Sequence, residues 1–208
     1  MLTADSQEAL PPVMGSPAYT LATLAGIAIT ALLWRRLVRS EGRTPDDRLY
    51  AVYGAALLGG VAGVELAKRI VGYREGTGDL FAVTVPLALA IGRVGCVIAG
   101  CCQGRECEPS WWTVADAHGH ARWPAAQAEM AFNLVFLAWA LCAWRFGWMR
   151  GQRFNIYLMA YGAFRFAHEF ARDDSRWAGP FGGYHVLAIA ILATGAWMFA
   201  KRSKFVPG

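Results

Sequence analysis

Charge is what this sequence has least of. Only 17% of its 208 residues are Asp, Glu, Lys or Arg, against about 25% in an ordinary soluble domain. Hydrophobic residues reach 56% and the mean hydropathy is +0.31, which excludes a disordered chain. The thin charge also argues against a nucleic-acid-binding basic domain, although the net charge is +5 and the pI about 9.1. The chain lacks an internal repeat, a low-complexity tract and any compositional break that would mark a second domain. No Lys or Arg precedes the uncharged run from Ala9 to Trp34, and that run is too long for a signal-peptide core. A cleaved signal is therefore not expected.

Apolar length is what the chain has in plenty. Six candidate spans, 17–34, 49–67, 80–100, 125–144, 154–171 and 181–200, nearly exhaust it. Each approaches the roughly 20 residues that cross a bilayer as a helix. Nine Trp and seven Tyr, with Arg at the edges of the runs, suit anchoring at two membrane interfaces. The expected fold is an all-α polytopic membrane bundle of about six helices, forming one domain over 1–208. Each span must be helical, because lipid offers no partner to a free amide or carbonyl. Pro86 in the third span then requires neighbouring helices around it. Gly54, Gly59, Gly60, Gly63, Gly92, Gly95 and Gly100 offer a small-residue seam between the second and third spans. Lys and Arg divide nine and nine between the loops of the two sides, so the positive-inside rule leaves orientation open.

Against this background a few charges stand out. Arg93 lies late in the apolar run from Leu80 to Gly100, where a buried Arg costs at least ~2.5–3.5 kcal/mol unless it snorkels to the interface. Glu65, Glu129, Arg165 and Glu169 also fall in or at the ends of spans, and Arg165 and Glu169, four apart, share a helical face. Two arginines, each balanced by a carboxylate, make a site for an anionic head group, because guanidinium grips phosphate bidentately and keeps its charge. Anionic phospholipid is the anion most at hand; a purely structural ion-pair network is the alternative. His168 and His185 are either proton carriers near neutral pH or hydrogen-bonded packing residues. The cysteines run C-x4-C-C-x4-C through Cys96, Cys101, Cys102 and Cys107, with Cys142 apart. That spacing does not match zinc-ligand patterns, so neither a metal nor another cofactor is expected. A disulfide through Cys107 in an oxidising compartment, a reactive thiolate beside Arg93 or Arg105, and inert buried thiols all stay open.

The stretch Gly92-Arg93-Val94-Gly95-Cys96-Val97-Ile98-Ala99-Gly100-Cys101-Cys102-Gln103-Gly104-Arg105 resembles the signature of prolipoprotein diacylglyceryl transferases, in which Gly-Arg-x-Gly-Asn leads through Gly-Glu to Gly-Arg. Three further segments follow the family's order. Leu58-Gly59-Gly60-Val61-Ala62-Gly63 is similar to its His-Gly-Gly-x-x-Gly, and Trp123-Pro124 through Glu129 to its His-Pro-x-x-x-x-Glu. Tyr161 to Arg172 is similar to its Tyr-Gly-x-x-Arg-x-x-x-Glu-Phe-x-Arg. The likeness covers roughly residues 55–172. Arg93 and Arg165 keep the family's two essential arginines, and Gly92, Gly104, Glu129 and Glu169 also match. Leu58 stands where the family has a functional His, Cys96 where it has Asn, Cys101 where it has the signature Glu, and Trp123 where a His precedes Pro.

The resemblance implies a multi-pass enzyme of the bacterial inner membrane. It would move the diacylglyceryl group of phosphatidylglycerol to the lipobox cysteine of a lipoprotein precursor, or another thiol acceptor, and release glycerol phosphate. If family topology holds, Arg93 and the 101–124 loop face the periplasm, with Trp111 and Trp112 at that interface. Arg93, Arg165, Glu169, Glu129, Cys101 and Cys102 are the expected catalytic residues. Gly92, Cys96, Gly104, Arg105, Gly59, Gly60, His168 and His185 are expected to contact substrate. Two other readings stay open: a phospholipid-processing enzyme with a different acceptor, and a non-enzymatic lipid-binding or thiol-redox membrane protein.

Overall fold

A computed structural model of the chain describes residues 17–40, 66, 69–70, 72, 77–116, 118–173, 176 and 179–203. Five helices lie among them: α1 (Pro17–Ser40), α2 (Gly78–Ile98), α3 (Ala125–Phe146), α4 (Arg153–Glu169) and α5 (Gly183–Ser203). Three of them, α2, α3 and α5, are long and apolar enough to cross a membrane. The protein is an all-α membrane protein in its architecture. Apart from residue 66, the expected span 49–67 lies outside the described residues, and with it Leu58, Gly59, Gly60, Glu65 and the first half of the proposed glycine seam.

The helix ends follow from local chemistry. Asp79 sits in the first turn of α2, where a carboxylate suits the positive end of the helix dipole. Gly147 (φ 72°) caps α3 in the left-handed conformation and returns its N–H to the Ala143 and Trp144 carbonyls, an arrangement that glycine adopts without steric cost. Helix α1 runs six residues beyond the expected span. Trp34, Leu37 and Val38 are buried while Arg35, Arg36 and Arg39 are exposed, so the 3.6-residue period carries on past the first charges.

Helix α2 is the centre of the arrangement, packing on α1, α3 and α4, while α5 packs on α4. The interior is built from Trp34, Leu80, Phe81, Val83, Phe136, Ala140 and Tyr157. Leu21, Leu24, Ile27, Ile29 and Leu32 of α1 and Val186, Leu187, Ile189, Leu192 and Trp197 of α5 point outward, as lipid-facing residues do. The seam expected between the second and third spans has its first half outside the described residues, and the close helix approach that is described lies elsewhere. A Cβ at Gly92 would meet nothing within 4 Å, whereas one at Gly162 of α4 would lie 2.7 Å from the Leu192 nitrogen of α5. Gly195 of α5 repeats this against the Asn155 carbonyl, at 2.9 Å. The small-residue seam described here therefore joins α4 to α5.

Between α2 and α3 the chain forms a small head that the helical expectation did not include. Strands β1 (Val114–Ala115) and β2 (Ala121–Arg122) make an antiparallel hairpin. Arg122 gathers three carboxylates: Asp116 at 2.7 Å, Asp173 at 3.2 Å and Glu106 at 3.3 Å. Backbone hydrogen bonds knit the head together and, through Arg105, join it to the chain just after α4. Gly104 N–H donates to the Trp123 carbonyl (2.8 Å), Arg105 N–H to the Ala171 carbonyl (3.0 Å), and Trp123 N–H to the Arg105 carbonyl (2.9 Å). Only glycine fits at position 104, because a Cβ there would lie 2.6 Å from the Ala171 carbonyl oxygen.

Two expectations follow. Gly162→Ala and Gly195→Ala should each lower stability by about 1–3 kcal/mol, the usual cost of overpacking. Gly78→Ala, whose Cβ would meet Phe154 Cβ at an ordinary 3.6 Å, should be close to neutral; thermal unfolding in detergent measures all three. The Arg122 guanidinium, aided by the His120 and His118 backbone N–H groups, holds the Asp116 carboxyl well below the usual carboxylate range. Its contribution is thus complete above that range and fades as pH falls below about 4. Amide exchange in the 104–122 segment should accelerate in acid, and Asp116→Asn should produce the same acceleration at neutral pH.

Candidate functional site

Three helix ends supply the site. Arg93 lies five residues from the end of α2, Glu129 four from the start of α3, and Arg165 four from the end of α4. At 1.5 Å per residue these positions are about 6–8 Å inside the bundle. Arg93 Nη2 donates to Glu129 Oε2 at 2.6 Å, and the Glu129 side chain has no exposure. The other Glu129 oxygen accepts from the Tyr161 hydroxyl at 3.0 Å. Behind it, Asn133 Nδ2 donates to the Glu129 carbonyl at 2.8 Å and Asn133 Oδ1 accepts from Tyr157 at 2.9 Å. This buried polar ladder fixes α3 against α4 and aims the carboxylate at Arg93.

Arg165 is held differently. Its Nη2 reaches Glu169 Oε2 at 2.8 Å, the i,i+4 pairing expected from the sequence, and Arg172 Nε approaches the same oxygen at 3.7 Å. The guanidinium lies over the Tyr184 ring of α5, 5.3 Å from its centroid. Its Nη1 is buried with no hydrogen-bond partner among the described residues. One turn along α4, His168 Nε2 accepts from the Trp123 indole N–H at 3.3 Å. The neutral tautomer then carries its proton on Nδ1, which is likewise buried and unpartnered among the described residues. Phe164 stacks on the His168 ring and on Phe132. Among the described residues two buried donors, from Arg165 and His168, are thus left without acceptors. Arg93 is linked through Glu129 to Tyr161, which lies one helical turn before Arg165 on α4.

The thiols gather at the edge of this site. Cys96 Sγ lies 3.7 Å from Arg93 Nη1, and the Cys96, Cys101 and Cys102 sulfurs all fall within 4.8 Å of one another. Burial and the neighbouring thiols push the Cys101 thiol up to about 12. Cys107 and Cys142 are free thiols.

Of the other residues read from the sequence, Gly92 borders open space and Gly104 makes the close backbone contact in the head. The Arg105 side chain is exposed while its backbone does the stitching. His185 makes its contacts with a backbone N–H and aromatic rings. Its Nδ1 accepts from Gly182 N–H at 3.1 Å and its ring sits among Phe166, Phe170 and Phe181. Gly59 and Gly60 are outside the described residues. The structure adds Tyr161, Asn133, Tyr157, Trp123 and Arg172. A signal for several was present: Tyr157, Tyr161, Arg165 and Glu169 recur every four residues, as do Glu129 and Asn133, marking the facing stripes of two helices.

Residues 50–201 match the prolipoprotein diacylglyceryl transferase family. A phosphatidylglycerol–prolipoprotein diacylglyceryl transferase from Bordetella parapertussis is 32% identical over 164 residues, 72% of this chain and 62% of that protein. One from Clostridium perfringens is 31% identical over 134 residues, covering 61% of the chain and 52% of the relative. One from Dehalococcoides mccartyi is 27% identical over 201 residues, covering 90% and 76%. The chain thus spans less than two thirds of the first two of these relatives and about three quarters of the third. With the matched region holding every residue of the arginine–carboxylate site, the chain belongs to the prolipoprotein diacylglyceryl transferase family.

Proposed function

We propose that the protein is a multi-pass enzyme of the bacterial inner membrane, six-spanning in full. It transfers the diacylglyceryl group of phosphatidylglycerol to a thiol, that of a lipobox cysteine in a lipoprotein precursor. The observation that carries this reading is that Nη1 of Arg165 and Nδ1 of His168, three residues apart on α4, are both buried with no hydrogen-bond partner among the described residues. A buried donor without an acceptor costs about 1–3 kcal/mol, more when charged, and a phosphate oxygen removes that cost. The relatives' names support phosphatidylglycerol and prolipoprotein as the substrates.

In this reading the lipid phosphate lies between α2 and α4. Arg165 Nη1 and His168 Nδ1 donate to it from α4, and Arg93 faces it from α2. Glu129 and Tyr161 hold Arg93 in place, and Glu169 does the same for Arg165. As the bond from the diacylglyceryl carbon to the phosphate oxygen breaks, charge grows on the departing glycerol phosphate. Guanidinium groups already oriented in a low-dielectric site stabilise that charge without reorganising. The outward apolar faces of α1 and α5 keep the acyl chains in lipid.

The test is transfer of labelled diacylglyceryl from phosphatidylglycerol to a lipobox peptide by the protein in nanodiscs. Arg93→Ala and Arg165→Ala should each reduce transfer by roughly 10²–10³-fold, the scale of losing one charge-stabilising donor. Arg165→Lys should restore little, because an ammonium lacks the planar fork. Full transfer by either alanine variant, or none by the folded wild-type protein, would sink the reading. Replacing Tyr161 by Phe removes one of Glu129's two side-chain partners and should lower transfer more modestly, by about tenfold, with lipid affinity measured separately.

A further inference from the structure

We propose that Cys96, Cys101 and Cys102 form a zinc site whose fourth position takes the acceptor thiol. The zinc site stands on the geometry alone, and its use in catalysis rests on the transfer reading above. The end of α2 builds the site. Gly100 (φ 64°) turns the chain out of the helix, Cys101 N–H returns to the Cys96 carbonyl at 3.1 Å, and Cys102 (φ 58°) takes the left-handed conformation. A residue other than glycine adopts that conformation only rarely. Here the outcome is that the neighbouring thiols of Cys101 and Cys102 and the Cys96 thiol, one helical turn back, come within 4.8 Å of one another. Tetrahedral zinc with Zn–S near 2.3 Å holds its sulfurs about 3.8 Å apart. Closing by up to about 1 Å through side-chain rotation therefore completes the ligand set.

Three protein ligands with one open position characterise reactive rather than purely structural zinc. The exposure agrees: Cys96 is buried, Cys101 half-buried and Cys102 exposed, so the site is open on one side. Zinc with three thiolates carries one net negative charge, and Arg93, which pairs with Glu129 through Nη2, faces it through Nη1, 3.7 Å from Cys96 Sγ. The same guanidinium thereby joins the thiol site to the phosphate site.

The site also supplies something the rest of the pocket lacks. An acceptor thiol must lose its proton to attack carbon, yet the described bases are engaged. Glu129 is held by Arg93 and Tyr161, Glu169 by Arg165 and Arg172, and His168 Nε2 by the Trp123 indole. A thiol that coordinates zinc is deprotonated by the metal itself. The acceptor thiol would ligate zinc and release its proton to solvent. Its sulfur pair then forms the bond to the diacylglyceryl carbon as the carbon–oxygen bond to phosphate breaks. Glycerol phosphate leaves with that electron pair, and zinc stays divalent throughout.

Cobalt(II) titration of the reduced full-length protein in phosphatidylglycerol nanodiscs tests the site without requiring turnover. One equivalent should produce a thiolate-to-cobalt charge-transfer band, and a lipobox peptide should shift the visible bands while its Cys→Ser counterpart does not. Cys101→Ser and Cys102→Ser should each remove most of the band, and Cys142→Ser should keep it. Absence of the band in the reduced wild-type protein, or its survival in the Cys101→Ser/Cys102→Ser double variant, overturns the metal site. Transfer assays separate the two readings. Chelation or the double variant should lower transfer by roughly 10²–10⁴-fold, as loss of a deprotonating group does, while phosphatidylglycerol binding persists. Undiminished transfer after chelation rejects the zinc mechanism and leaves the lipid reading intact. A cobalt site that responds to the peptide, in a protein that never transfers diacylglyceryl, does the reverse.

Discussion

A carboxylate with no solvent exposure between apolar helices needs a cation fixed beside it. Glu129 and Arg93 meet that condition at 2.6 Å, and much of the site's geometry depends on their doing so. The pair sets α2 against α3, and the second Glu129 oxygen recruits Tyr161 and so fixes α4. Removing one partner from such a pair leaves a buried charge unbalanced, at a cost of roughly 3–5 kcal/mol where burial is complete. Arg93 keeps 21% of its side chain accessible, which softens that cost and leaves one edge of the guanidinium for another ligand.

The opposite end of the bundle shows what a structural arginine looks like in this fold. Arg153 donates to Trp148 O at 2.8 Å and Ala143 O at 3.0 Å, and pairs with Asp79 at 3.2 Å. It also lies over the Trp144 ring. Two nitrogens of its guanidinium close the turn between α3 and α4, and the third ties that turn to Asp79 of α2. Arg165 is nearly as buried but holds a nitrogen in reserve among the described residues. This contrast separates a fold-stabilising ion pair from a ligand site better than burial does, and it weighs against a purely structural network around Arg93 and Arg165.

Much of this was legible from the residues. Hydropathy marked the helices α2 to α5 to within three residues at either end, because lipid demands long uncharged runs. The weakest span is α4, whose buried face carries Arg153, Asn155, Arg165, His168 and Glu169; the polarity that obscured it is the polarity of the site. The Arg93, Glu129, Arg165 and Glu169 set was readable because charge is so costly in an apolar run. The head hairpin was hidden by strands of only two residues each, too short for any period to register. The thiol cluster was hidden because sequence spacing carries no record of the left-handed turn at Gly100 and Cys102 that gathers the sulfurs.

The central claim is that one lipid phosphate occupies the space between α2 and α4. An experimental structure of the protein in phosphatidylglycerol nanodiscs tests it directly. The account predicts phosphate density within hydrogen-bonding distance of Arg165 Nη1 and His168 Nδ1, with the Arg93 guanidinium on its other side. Lipid head groups elsewhere, with Arg93 and Arg165 each closed off by their own carboxylates and water, would contradict it.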